Sequence, residues 1–393
     1  MRILHLTSHL DVGGITTYVT SLAQALAARG HRVVVASGGG ACEERLREAG
    51  VEHWRLPLKT SAEFSPQVCW AAWRLSPAVG GVDVIHAHTR VAQVVAHWLS
   101  ARCGIPYVTT WHGFYRRRLS RRWWPCTGEL TIAISEPVAA HLREVFGVPP
   151  ERIRLIPHGI DVARWAQPVD PAAQQQLRER CHLDHGPVIG TIARLVPDKG
   201  VAQLLEAFRH VQARVPHARL MIVGGGEDRP RLERLAGALG VAEAVRFLGN
   251  VSDTRVVLSI MDLFVFLPAT REGFGLALLE AMAGARPVVA VQRGGGSSWV
   301  LQESGVGVTV PADAPARLGE AMLQVLEDPS LARRLGQEAQ AMARSRYDFS
   351  RVVTQVEQVY EEVIATRECG MRNAECGLFN PKSEIRNPHQ PHR

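Results

Sequence analysis

Short apolar runs alternate along the chain with stretches in which apolar residues recur every three or four positions. The first kind reads as buried strand, the second as amphipathic helix. Residues 2–6 are one such run, residues 16–29 have helical spacing that Gly30 stops, and further runs fall at 33–36, 82–87, 107–110, 130–134 and 154–156. Strands that alternate with helices predict a parallel sheet covered on both faces. Residues 157–170, with Gly159, Pro157 and Pro168, interrupt the rhythm and read as a linker. It restarts beyond, with strands at 188–193, 220–223, 245–248, 263–267 and 287–291 and a helix at 201–211.

Residues 314–366 are almost wholly helical in pattern, with a break at 347–350. A chain of 393 residues suits two domains. The expectation is an α/β protein with two doubly wound, Rossmann-like domains. The first spans residues 1–160 and the second 161–345, followed by a helix at 346–366 that returns to the first domain. Residues 367–393 are polar, rich in Asn and Pro and without periodicity, and are expected to be disordered.

Composition narrows the class. The chain is 46% hydrophobic and 21% charged and has no apolar run of the roughly eighteen residues a spanning helix needs. Residues 1–6 enter a strand directly and do not resemble a secretion signal, so a cytoplasmic location is the default, with a peripheral membrane position open. Seven cysteines, with no CxxC pair and no His cluster at ligand spacing, argue against a disulfide framework or a zinc site. A formal charge of +7 favours an anionic partner. Lysine occurs only at Lys59, Lys199 and Lys382, which singles out each of them.

Candidate chemistry concentrates in four segments. Gly13 and Gly14 lie between the first strand and a helix, where close backbone approach to an anion and a plain tight turn are both open readings. The pattern is not GxGxxG, so a dinucleotide fingerprint is absent. Gly273-Phe274-Gly275-Leu276 opens a helix whose first free amides can hold a phosphate oxygen. Glu272 and Glu280 flank that start. Carboxylates repel phosphate but accept from hydroxyls, and a ligand with hydroxyls on both sides of a diphosphate is a nucleotide sugar. Arg194 and Lys199 follow the first strand of the second domain and can neutralise a departing diphosphate, a task that otherwise needs a divalent metal, so no catalytic metal is expected.

Together, Glu272 and Glu280 in an E-x7-E spacing, Arg194 with Lys199-Gly200, and Gly13-Gly14 resemble family 4 of the retaining glycosyltransferases, which have the GT-B fold. Thr110-Trp111-His112-Gly113 is similar to that family's His-Gly loop, and Ile156-Pro157-His158-Gly159-Ile160-Asp161 to its interdomain segment; coverage runs from residue 1 to about 365. The resemblance implies that Arg194 and Lys199 bind the donor diphosphate, Glu280 the ribose and Glu272 the transferred sugar. It also puts His112 beside the sugar and the loop at Gly249 near the base. It implies retention, with the leaving phosphate assisting the incoming hydroxyl. His158 stands where the family usually has Asn and is expected to alter only a linker contact. Ser297-Ser298 replaces a Pro-Glu pair, so donor preference is not inherited.

The segment 114–124 holds Arg116, Arg117, Arg118, Arg121 and Arg122 with Trp123 and Trp124 and no acid. Such a run suits an anionic membrane surface and a lipid-linked glycan or lipopolysaccharide-type acceptor. A solvated loop that gates the acceptor cleft is the other reading. Nucleic acid is not expected as a partner, because no nucleic-acid fold accompanies the run. The alternatives in function are a nucleotide-sugar epimerase of the same fold, which would need an acid and base pair, and a non-catalytic sugar-nucleotide-binding protein.

Overall fold

The computed structural model describes residues 1–375 apart from Val12, Ser61, Arg117, Leu119, Ser120, Arg122, Asp184, His185 and Ser252. Its first sheet contains β1 (Arg2–Leu6), β2 (Arg32–Ser37), β3 (Glu52–Arg55), β4 (Val84–Ala87), β5 (Tyr107–Trp111), β6 (Leu130–Ala133) and β7 (Ile153–Leu155). The second contains β8 (Val188–Ile192), β9 (Arg219–Val223), β10 (Val245–Gly249), β11 (Leu263–Phe266), β12 (Val288–Gln292) and β13 (Val308–Pro311). Strand order is β3-β2-β1-β4-β5-β6-β7 in one and β10-β9-β8-β11-β12-β13 in the other, and all pairs are parallel. Both sheets are doubly wound, as expected. β3 and β13, which no apolar run announces, are outer strands of their sheets.

The order reverses between β1 and β4 in the first sheet and between β8 and β11 in the second. Loops leaving neighbouring strands in opposite directions open a crevice at these points, where ligands of open α/β sheets bind. One apolar core runs through both domains, joining Trp111, Val138 and Leu142 of the first to Phe274, Leu278 and Val300 of the second. The domains are therefore packed against each other around the crevice.

The last helix, Phe349–Glu375, returns to the first domain. Val352, Val356, Val359, Tyr360 and Val363 recur at helical spacing and are buried against Val19, Leu22 and Leu26 of the helix Gly14–Ala28 and against Val84 and Val108. The helix continues past Thr366 to Glu375, so the expected disorder does not begin at 367. Once a packed helix is nucleated, each further residue adds a hydrogen bond, and elongation outlasts the apolar stripe that anchors it. Residues 376–393, the rest of the expected disordered tail, lie outside the described residues.

Candidate active site

The crevice of the second domain is built from two loops on neighbouring strands. Arg194 and Lys199 follow β8, while Glu272 and Gly273 to Gly275 follow β11. The Lys199 ammonium forms an ion pair with Glu272 Oε2, and the side chains are only 15% and 22% exposed. Beside it the Thr270 hydroxyl donates to Asp198 Oδ1 at 2.8 Å, a second latch between the same loops. Arg194 is exposed, and its guanidinium has no partner among the described residues. Arg293, which sequence reasoning passed over, donates to Gln203 Oε1 at 3.0 Å and lies against Gly200, adding a largely buried cation to this side. Its only signal is its place directly before Gly294-Gly295-Gly296.

The helix Leu276–Ala283 begins at the same spot. Gly275, its N-cap, has φ of 99°, a conformation that favours glycine, and a Cβ there would lie 2.7 Å from the Phe266 ring. Leu278 N–H donates to the Gly275 carbonyl at 3.0 Å, which leaves the Leu276 and Ala277 amides, ahead of the first helical hydrogen bond, as donors for an anion. Across the crevice the first domain closes on them. A Cβ on Gly273 would stand 2.3 Å from the His112 carbonyl oxygen, the Ser135 hydroxyl donates to the Gly273 carbonyl at 2.9 Å, and a Cβ on Gly14 would meet Leu276 Cδ1 at 3.4 Å. Gly13, Gly14, His112, Lys199, Glu272, Gly273 and Leu276 thus converge on one place. Phe274 is different: its ring is buried between His158 and Tyr347, so only its backbone can serve a ligand.

Glu280 lies one turn further into that helix, near Thr254, Arg164 and Asp253. Burial pushes its carboxyl up to about 7, against the opposing pull of the Thr254 hydroxyl and Arg164. Gly249 closes β10, where its carbonyl accepts from Gly224 N–H at 2.8 Å.

Beneath His112 lies a chain of imidazoles. His158 Nε2 is 3.3 Å from His112 Nδ1, His112 Nε2 is 3.4 Å from His88 Nδ1, and His88 Nε2 is 2.9 Å from His5 Nδ1. The His112 and His158 rings stack at 5.2 Å with 14° between planes, and Tyr18 meets both edge-on. Burial drives all of these rings toward the neutral form: His5 and His158 to about 3, and His86, His88 and His112 well below the ordinary value. His158 is therefore the inner neighbour of His112 and does more than alter a linker contact.

Among the described residues, His5, His86 and His88 are the one group whose ligand atoms lie close enough, within 4.8 Å of one another, to suggest a metal. The donor set does not fit an ion. Both His86 nitrogens are used, by the Tyr360 hydroxyl at 2.6 Å and Thr110 Oγ1 at 2.7 Å, and His88 is bonded to His5 and His112, so of the three rings His5 Nε2 alone has no partner among the described residues, and one nitrogen does not hold an ion.

The basic segment divides. Arg116, Arg118, Trp123 and Trp124 are exposed, the two indoles at 76% and 58%. Arg121 departs from the expected surface contact: its guanidinium is 13% exposed, binds the buried Glu63 and sits 5.4 Å from the Tyr115 ring. Glu63 also holds Arg90, and turning Arg121 outward would give up its charge-assisted contact to a buried carboxylate and its place on the Tyr115 ring. Arg117 and Arg122 lie outside the described residues. No helix among the described residues is long and apolar enough to cross a membrane.

Comparison with known proteins bears on this geometry. Residues 174–342 match the family model "Glycosyl transferases group 1" and residues 12–164 match "Glycosyltransferase Family 4". The D-inositol 3-phosphate glycosyltransferase of Acidothermus cellulolyticus is 30% identical over 91% of this chain and 87% of its own length. The GDP-mannose-dependent alpha-(1-6)-phosphatidylinositol monomannoside mannosyltransferase of Mycobacterium tuberculosis is 32% identical over 53% of this chain, and that match spans about half (55%) of the relative. Among solved structures, Anabaena HepE in complex with UDP-glucose superposes with a TM-score of 0.80 at 23% identity, covering 92% of this chain and 100% of that one. Matched in both domains and nearly end to end, the chain belongs to family 4 of the glycosyltransferases and has their GT-B fold.

Proposed function

We propose that the protein transfers a sugar from a nucleotide-sugar donor to an acceptor hydroxyl, with retention at the anomeric carbon and without a catalytic metal. The observation that carries this is the Lys199–Glu272 ion pair at the start of the helix Leu276–Ala283, under His112 and Gly14 of the other domain. Without ligand, each charge compensates the other. A bound diphosphate offers Lys199 a stronger partner, and the released Glu272 carboxylate is then free to accept from sugar hydroxyls. One arrangement thus serves both halves of the donor.

In the reaction the bond between C1 and the leaving phosphate oxygen breaks, and the acceptor oxygen bonds to C1 on the same face. The acceptor proton passes to the departing phosphate. Negative charge grows on that phosphate, where Lys199, Arg194 and the first-turn amides of the helix are aimed, so stabilisation is preorganised. Glu280 is the acceptor for ribose hydroxyls, and the Gly249 loop is the neighbour of the base. His112, with both ring nitrogens engaged by other imidazoles, approaches the sugar through its loop rather than as a proton donor.

For the acceptor, the exposed Arg116, Arg118, Trp123 and Trp124 favour a lipid-linked glycan at an anionic membrane surface. The lipid acceptor named for the mycobacterial relative is in line with this. The decisive experiment is transfer from a panel of UDP-, GDP- and ADP-sugars in the presence of EDTA, with the product read by anomeric proton coupling. Retained configuration at full rate is expected. Inversion, or loss of turnover in EDTA with recovery on added metal, would overturn the mechanism.

A further inference from the structure

Away from the crevice, the first domain carries a second feature. Among the described residues, seven large apolar side chains are strongly exposed, and six of them belong to one stretch of chain: Phe64 (45%), Trp70 (48%), Trp73 (64%), Trp98 (50%), Trp123 and Trp124. Leu155 is the seventh. Phe64, Trp73, Trp98 and Trp124 line a groove of about 630 Å³ between the helices Pro66–Leu75 and Arg90–Cys103, floored by Ala72 and Ala101. Its volume falls within the range of roughly 300–1,000 Å³ typical of ligand sites. No carboxylate lines it.

The charge around the groove is predominantly positive, and the adjacent acid Glu63 is buried between Arg90 and Arg121. Residues 64–126 contain eight arginines and a single acid, Asp83, which is engaged by the Arg2 backbone N–H at 2.6 Å. Arg74, Arg102, Arg116 and Arg118 are exposed and have no acidic partner among the described residues. Half-exposed indoles ringed by unpaired guanidiniums suit the headgroup level of a bilayer, where the ring sits between hydrocarbon and water and the cation meets lipid phosphate. A protein partner would have to supply acids for each of these cations around an apolar centre. The groove is also tied to the crevice. Arg90, at the head of one groove helix, holds the Trp124 carbonyl at 2.6 Å and Glu63, next to Phe64, and the loop ending at Trp124 begins at His112.

We propose that this face seats on the surface of an anionic lipid bilayer and that the groove takes one acyl chain of a bilayer lipid. The inference rests on the transferase reading for its purpose, which is to hold the first domain's acceptor side against a lipid-linked substrate. Its test uses no donor and no turnover, so failure of one leaves the other standing.

The full chain is sedimented with vesicles of phosphatidylglycerol and phosphatidylcholine or of phosphatidylcholine alone, and tryptophan fluorescence is followed with lipids brominated in mid-chain. Binding to the anionic vesicles and strong quenching are expected. Trp73→Ser with Trp98→Ser should lower the partition at least about tenfold, since two indoles leave the interface, whereas Leu155→Ser should leave it unchanged. Ala101→Phe fills the groove while adding apolar surface and no new indole, so vesicle binding should persist and mid-chain quenching should fall. Wild-type protein that ignores anionic vesicles, or a double variant that binds like wild type, would overturn the seat; undiminished quenching in Ala101→Phe would overturn the chain site. A stable dimer that the double variant converts to monomer, with no vesicle binding, would assign the face to a second copy instead.

Discussion

The two crevices of the molecule solve opposite electrostatic problems. In the second domain the reversal between β8 and β11 is furnished with charge: Lys199 paired with Glu272, an exposed Arg194, and a helix start beside them. In the first domain the reversal between β1 and β4 is furnished with rings held neutral, His5, His86 and His88, on which His112 and His158 rest. On the proposed reading, charge lies where the leaving group gains it. The facing wall is buried and held toward the neutral form, so it sets no competing charge against the field of the cations.

The largest expected effect breaks the neutral side. Rings whose protonation is suppressed in the fold bind protons only when unfolded, so their contribution is complete above the ordinary histidine value of 6.5 and is lost as pH falls toward about 3. His5 and His158 each cost about 2 kcal/mol by pH 5, and His86, His88 and His112 act in the same direction. Urea midpoints measured from pH 7.5 to 5 should fall steeply. The double variant His5→Asn, His158→Asn should show a shallower slope, and an unchanged slope would contradict the buried-imidazole account.

Next in size is the charged side. Lys199→Ala should reduce turnover by about 10²–10³, the loss typical of removing one preorganised electrostatic contact. Gly273→Ala sharpens the comparison, because its Cβ would strike the His112 carbonyl and force the two walls apart. A misplacement of this kind costs about 10²-fold in kcat/KM, and the thermal unfolding of the second domain should be little changed. A Gly273→Ala enzyme with full activity would show that the walls need not touch. Smallest is Tyr360→Phe, which removes the hydroxyl bonded to His86 Nδ1 and should cost about 1 kcal/mol of stability with transfer intact.

The same contrast explains what the sequence discloses. The charged crevice is drawn from two short segments, 194–200 and 272–280, each following a buried strand, so residue type and spacing reveal it. The imidazole chain takes His5 from β1, His88 from the end of β4, His112 from the end of β5 and His158 from beyond β7, and only the sheet order brings them together. No local pattern contains that fact. Strands follow a similar rule. β4 and β11 are buried at every position and read as apolar runs, while β3 and β13 lie outermost, are largely open to solvent and carry mixed residues. Arg121 was misplaced because its partner, Glu63, is distant in sequence.

On the proposed reading, donor binding takes Lys199 from Glu272. Calorimetry with UDP, GDP and ADP tests it most directly. For the nucleotide that binds best, Lys199→Ala should weaken binding at least about tenfold, because a charge-assisted contact to phosphate is worth roughly 1.5–3 kcal/mol. Glu272→Ala should bind the same nucleotide as tightly as wild type or more so, its ammonium already released, while sugar transfer is lost. Parallel loss of nucleotide affinity in both variants would contradict the exchange.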